Sequence, residues 1–369
     1  MSAQSSPTGK DTTSLVNDFW GGFAAMLVSL PASIAFGVLI YTTLGPEYAG
    51  QGAMVGILGA AALGPVAALV GRTAGLISAP CAPSAAVLSA LAAGLVAGHR
   101  GLRVQPEDVP ALLALTALIA AGCQLLYGTI RGGRLIKFIP YPVVSGYLSS
   151  VGILIALGQL PKLFGLKKGT PLIEGLTSPD LWKWQGLVVG IVTIIAVSLA
   201  PKITRRVPAA IVGLLGGVLA YFALGLFSPG LLQLEGNALI IGPIKASGSF
   251  FELVIGRATS LLNIKFASVQ LIFVSALTLS VLLSIDTLKT CVVLDAMTRN
   301  RHNSNRELIG QGIGNLAAFL CGGMPGAGTM GPTLVNVTSG GRTFRSGIFQ
   351  GVLAILALLL LSNLIAWVP

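Results

Sequence analysis

Along the chain, apolar runs of membrane-crossing length alternate with short polar turns. Taking a span as about 20 apolar residues, the pattern predicts uninterrupted helices near 18–41, 50–71, 108–130, 142–160, 184–201, 207–227, 264–297, 307–322 and 346–368. Two further segments break the pattern. In 73–97, Ile77-Ser-Ala-Pro-Cys-Ala-Pro-Ser84 interrupts the run ahead of a helical Ala/Leu stretch; in 321–338, five glycines and two prolines accompany a short helix-capable run. Lipid cannot satisfy so much unpaired backbone, so both read as extended segments feeding half-helices inside a bundle, their N-termini aimed at a ligand.

The broken segments are the third and tenth of eleven. Seven is odd, so a seven-span unit repeated once re-enters the membrane from the opposite side. The predicted fold class is therefore an all-α polytopic membrane protein with an inverted repeat of seven-plus-seven type. The repeats are placed at about 18–227 and 264–369, behind a polar tail at 1–17.

Charge sharpens the topology. Turns after even-numbered segments are short and basic, carrying Arg72, then Arg131, Arg134 and Lys137, then Lys202, Arg205 and Arg206, then Arg299, Arg301 and Arg306, then Arg342 and Arg345. The connections 98–107, 161–183 and 228–263 are longer and mix in Glu107, Asp108, Glu174, Asp180, Glu235 and Glu252. By the positive-inside rule the N-terminus and the even turns are expected in the cytoplasm of a multi-pass inner-membrane protein. Trp20, Trp182, Trp184 and Trp367 fall at span ends, as an aromatic belt requires.

Composition agrees: 54% of residues are hydrophobic and 9% charged, with a mean hydropathy of +0.85. The formal charge of +11 sits in the turns and reports topology, so no nucleic-acid partner is expected. Cys81, Cys123, Cys291 and Cys321 lie in apolar segments without metal-ligand spacing. No nucleophile–base pair, metal cluster or phosphate loop is visible, and the chain is not expected to be an enzyme.

One uninterrupted span carries charge. Asp286 and Lys289 stand three positions apart, on one helix face, where they can pair. Charges at membrane depth cost roughly 2.5–3.5 kcal/mol each or more, and usually face a cavity. Two readings follow: a mutually satisfied pair, or Asp286 as a sodium or proton site with Thr290 completing an oxygen cage. Thr290 bonding back to its own helix is the alternative for the hydroxyl. His302 reads as a turn residue, and Asn305 as the cap of the following helix, with Arg306 and Glu307 fixing the turn. In the broken segments the anion donors are expected to be the amides near Ala82, Ser84 and Ala85, the Cys81 thiol and the Ser84 hydroxyl. Opposite them stand the amides of Gly328, Thr329 and Met330 and the Thr329 hydroxyl.

Several of these stretches resemble the sulfate permease family of anion transporters. They are Asn303 to Asn315, Gly322-Gly-Met-Pro-Gly-Ala-Gly328, Asn336-Val-Thr-Ser-Gly-Gly-Arg-Thr343, Leu30-Pro31 with Ala35-Phe36-Gly37, and Tyr141-Pro-Val-Val-Ser-Gly-Tyr147. The likeness is nearest to bacterial members, including cyanobacterial sodium-dependent bicarbonate transporters. It implies fourteen spans in a core and a gate domain, a homodimer in the bilayer, elevator-type transport of a small anion, and usually a following cytoplasmic STAS domain. By the same resemblance Asp286 and Thr290 match sodium-holding positions, and Gly328 a backbone position of the shared ion and anion pocket. This chain departs from the family at Cys81, where Thr is usual, at Thr329-Met330, which replaces Ala-Thr, and at Pro332, where many members carry Arg. Lys289, where Leu is common, is expected to restore that positive charge.

The chain stops at Pro369, with no room for three more spans or a STAS domain, and is expected to be a fragment of a longer protein. The expectation is secondary transport of sulfate, bicarbonate or a dicarboxylate, with Na+ as the candidate coupling ion at Asp286 and Thr290. The alternatives are a nucleobase permease of the same fold and a non-transporting membrane subunit.

Overall fold

The computed structural model describes residues 8–98, 104–133, 172–203, 209–233, 239–240 and 266–368, with scattered positions between 142 and 166. Most of the predicted span 142–160, of the Tyr141–Tyr147 stretch and of the connection 228–263, and half of the connection 98–107, thus lie outside the described residues.

Each described apolar run is a helix. In chain order they are α1 (Thr8–Tyr41), α2 (Ala49–Gly71), α3 (Ala82–Ala97), α4 (Val109–Thr129), the short α5 (Leu172–Thr177), α6 (Trp184–Ile203), α7 (Ala209–Phe227), α8 (Phe266–Thr298), α9 (Ser304–Leu320), α10 (Met330–Thr338) and α11 (Arg345–Ile365). Among the described residues, five helical stretches are long and apolar enough to cross a membrane. The first starts well inside the expected polar tail: α1 is helical from Thr8, though its apolar part begins at Ser14.

Helix α2 is the hub. It packs against α1, α9 and α11, while α4 packs against α8 and α9. The α1–α2 crossing is close because glycines line it. A Cβ on Gly37 would sit 2.0 Å from the Gly52 carbonyl oxygen, so a larger residue would push the helices apart. Helices α6 and α7 pack chiefly on each other. Their apolar cluster of Val189 and Tyr221 includes Trp367 from beyond α11.

The two broken segments meet inside this bundle. Strand β1 (Ser78–Pro80) leads into α3 and strand β2 (Gly326–Gly328) into α10. They pair antiparallel, with Ser78 opposite Gly328, Ala79 opposite Ala327 and Pro80 opposite Gly326. All six residues are buried. Pairing answers the backbone problem that the prolines and glycines create, because each strand supplies partners that lipid cannot.

Candidate anion site at the crossing of two half-helices

The rest of the crossing's backbone is satisfied by side chains from neighbouring helices. Asn315 on α9 accepts from the Gly326 N–H at 2.8 Å and donates to the Gly326 carbonyl at 3.0 Å, acting as a one-residue strand along β2. Its Nδ2 also donates to Gln124 Oε1 on α4 at 2.7 Å. Thr287 on α8 accepts from the Gly328 N–H at 2.9 Å. The Thr329 N–H donates to the Ile77 carbonyl at 2.9 Å, and the Ile77 N–H donates to Thr333 Oγ1 at 3.0 Å. Gln311 on α9 donates to Ser78 Oγ at 2.6 Å. A Cβ on Gly326 would lie 2.2 Å from the Ala79 carbonyl oxygen, so only glycine lets the strands approach this closely.

These bonds decide which groups remain for a ligand. The Gly328 and Thr329 amides are committed within the protein, and the Thr329 hydroxyl points to the Ile77 carbonyl at 3.3 Å. What remains at α10 are the N–H groups of Met330 and Gly331, since Pro332 has none and the Thr333 N–H already donates to the Thr329 carbonyl. At α3, Cys81 is the extended N-cap, Pro83 has no N–H, and the Ala85 N–H already donates to the Cys81 carbonyl. Ala82 and Ser84 supply the first-turn donors there. The Ser84 hydroxyl is fully buried and has no hydrogen-bond partner among the described residues. A buried hydroxyl without a partner costs about 1–3 kcal/mol, so a native helix start carrying one is primed for an acceptor.

Helix α8 brings the charged pair beside this crossing. Lys289 Nζ lies 2.8 Å from Asp286 Oδ1, with the Lys side chain 28% exposed and the Asp side chain 13% exposed. The helix that carries them packs against both α3 and β2. Thr290 Oγ1 donates to the Asp286 carbonyl at 2.9 Å, which is the back-bonded alternative. The Gly328 amide reaches Thr287 rather than Asp286 or Thr290. A hard cation needs several oxygens at once. Here the carboxylate already faces an ammonium that repels a second cation, and Thr287 Oγ1 is turned to the Gly328 N–H, so the residues present do not fit a resident Na+. Among the described residues no group of three His, Cys, Asp or Glu is arranged for a metal.

The turn before α9 is organised differently from the expectation. Asn303, not Asn305, caps α9 by accepting from the Arg306 N–H at 3.1 Å. Asn305 instead accepts from the Gly133 N–H at 3.2 Å. Arg306 does fix the turn, its Nε donating to the Val70 carbonyl at 2.9 Å. Glu307 turns inward, buried against Thr73 Oγ1 at 2.5 Å and Gln311 Nε2 at 3.0 Å. His302 is a turn residue as expected, its Nδ1 2.7 Å from Asp295 Oδ2 and its Nε2 2.9 Å from Ser304 Oγ.

Two half-helices that start from an antiparallel strand pair in an apolar bundle define an inverted-repeat membrane-carrier fold. The sequence pattern of the Sulfate permease family matches residues 15–369, and the chain belongs to that family. It is 35% identical to the bicarbonate transporter BicA of a Picosynechococcus strain over 95% of its own length and 58% of that protein's. The solved transmembrane domain of a cyanobacterial BicA superposes with a TM-score of 0.75 at 31% identity, over 96% of this chain and 84% of that one. The murine solute carrier 26 member A9 anion transporter, in its inward-facing state, shares the fold at a TM-score of 0.75 but only 13% identity. There the match covers this chain in full and 62% of the other.

Proposed function

We propose that this chain carries the anion-binding core of a secondary transporter for a small inorganic or carboxylate anion. Bicarbonate leads, with sulfate and dicarboxylates as the other candidates. The observation that carries the reading is the Ser84 hydroxyl, buried without a partner at the start of α3 and beside the crossing from which α10 also starts. Each helix start presents about half a positive charge and unpaired N–H groups, so the space between them suits an anion of one or two charges. The anion is held by Ala82, Ser84 and the Cys81 thiol on one side and by the first turn of α10 at Met330 on the other. Gly328 and Thr329 shape that turn, and Lys289, paired with Asp286, offsets the carboxylate that would otherwise oppose the anion from the side.

Family membership and the likeness to a bicarbonate transporter support this reading. Elevator-type movement is the mechanism that suits a body built on α2 beside a separately packed α6–α7 pair. The working unit is read as a homodimer in the inner membrane, the N-terminus and the Arg72, Arg131 and Arg299 turns on the cytoplasmic side. A gradient of sodium, of protons or of a second anion can drive such a carrier.

Uptake by the full-length protein in proteoliposomes tests the reading. Labelled bicarbonate, sulfate and fumarate are offered with and without sodium or a proton gradient. Saturable uptake of at least one anion is expected. Uptake of labelled nucleobase instead would favour the nucleobase permease reading, and no uptake of any solute a non-transporting subunit.

A further inference from the structure

The neighbourhood of Asp286 contains its own counter-ion, and this bears on what drives the carrier. An isolated carboxylate at membrane depth is costly and must recruit a cation from solution. Asp286 need not: Lys289 Nζ sits 2.8 Å from Oδ1, three residues along the same helix. The tether keeps that ammonium beside the carboxylate at an effective concentration no dissolved ion matches.

Two further features oppose a second cation. Thr287 Oγ1 accepts from the Gly328 N–H, and the ammonium repels any cation that approaches the same carboxylate oxygen. The pair is also placed to matter for the anion, since α8 packs against both α3 and β2.

We propose that Lys289 is a built-in counter-cation that takes the place of a dissolved alkali cation at Asp286, so that anion binding and transport in this protein do not depend on sodium. This rests on the anion-transport reading above. With the pair internally neutral, the positive potential of the two helix starts is left to the anion, and replacing Lys289 by a neutral residue would expose a carboxylate that opposes it.

The test uses the full-length protein, with sulfate and bicarbonate as probes in sodium or choline salts. Two readouts are taken: the anion-induced shift of the thermal midpoint, and proteoliposome uptake. For the unmodified protein both are expected to agree between sodium and choline within about twofold. Lys289→Met is expected to weaken anion binding in choline about tenfold, and sodium is expected to restore part of it and to raise the variant's midpoint specifically. The double variant Asp286→Asn/Lys289→Met removes both charges. It is expected to fold where the single variant is impaired, and to show no sodium response.

Uptake by the unmodified protein that requires sodium, or a sodium-specific midpoint rise as large as that of Lys289→Met, overturns the proposal while leaving anion transport intact. The absence of both uptake and an anion-induced shift in every salt overturns the transport reading, and this proposal with it.

Discussion

The two broken segments serve matching positions in the fold but are held in opposite ways. The β2–α10 arm is fixed by polar side chains from outside it: Asn315 on both backbone groups of Gly326 and Thr287 on the Gly328 N–H. From within α10, Asn336 Nδ2 donates at 2.8 Å to the Gly75 carbonyl ahead of β1 and to Ser346 Oγ on α11. On the β1–α3 arm such contacts lie at and just before β1, where Gln311 donates to Ser78 Oγ and the Ile77 N–H to Thr333 Oγ1, and the start of α3 is fixed mostly by shape. Pro80 and Pro83 stiffen it, Cys81 and Leu88 sit in the largest apolar cluster, and its polar Ser84 is left unpartnered. Each arm keeps one buried side-chain atom without a partner among the described residues, Asn336 Oδ1 well inside α10 and Ser84 Oγ at the very start of α3, so the two differ in where that atom sits. That difference suggests a division of labour, with β2–α10 as the rigid frame and the start of α3 as the part that senses the ligand.

The frame is where substitutions should cost most. Asn315→Leu keeps the volume but strips three buried partners at once: the Gly326 N–H, the Gly326 carbonyl and Gln124 Oε1. At about 1–3 kcal/mol for each orphaned group, a loss of about 4 kcal/mol or more is expected, read as failed expression or a collapsed thermal midpoint in detergent. A near-normal midpoint would mean that β2 is not held by this clamp. Thr287→Val is nearly isosteric and orphans one buried N–H, that of Gly328, so about 2 kcal/mol is expected by the same measure. Because Gly328 leads into α10, anion affinity should fall along with stability.

Sequence reading reached the broken segments because proline and glycine cannot be hidden in a lipid-facing span, and residues such as Pro80, Pro83, Pro325 and Gly326 are visible in one dimension. It did not reach what holds them. Asn315 and Thr287 lie within apolar runs and act across 11 and 41 residues respectively. No local pattern encodes such a reach. A signal was nonetheless present: Gln124, Gln311, Asn315 and Asn336 are uncharged polar side chains at membrane depth, and each needs a partner there. The Asp286–Lys289 pair was legible because its partners share one helix face. Which of its two roles prevails was not legible, since that turns on where the Thr290 hydroxyl points.

On the α3 arm the contrast predicts a dissociation of stability from binding. Ser84→Ala removes a buried hydroxyl that bonds to nothing in the protein, so the thermal midpoint should hold or rise slightly. If the hydroxyl donates to the anion, affinity should drop about fivefold, the equivalent of one hydrogen bond of about 1 kcal/mol. Titrating bicarbonate or sulfate against the midpoint separates the two effects. Loss of stability with unchanged affinity would make Ser84 part of the frame and erase the distinction between the arms.

The smallest effect is expected at Thr290, and it sharpens the boundary of the sensing region. Its hydroxyl is buried and bonds back to the Asp286 carbonyl of the same helix. Such a bond competes with the helix's own hydrogen bonding and adds little to it. Thr290→Val keeps the β-branched shape and removes only that contact, so a change in midpoint within about 0.5 kcal/mol is expected, as for substitutions that break no partnered network. Anion affinity should be equally unmoved in sodium and in choline. A sodium-selective loss in this variant would mean that the hydroxyl oxygen, its proton given to the Asp286 carbonyl, uses a lone pair to hold a cation. In that case the charged pair on α8 would belong with the start of α3 as a ligand-sensing element and not with the frame.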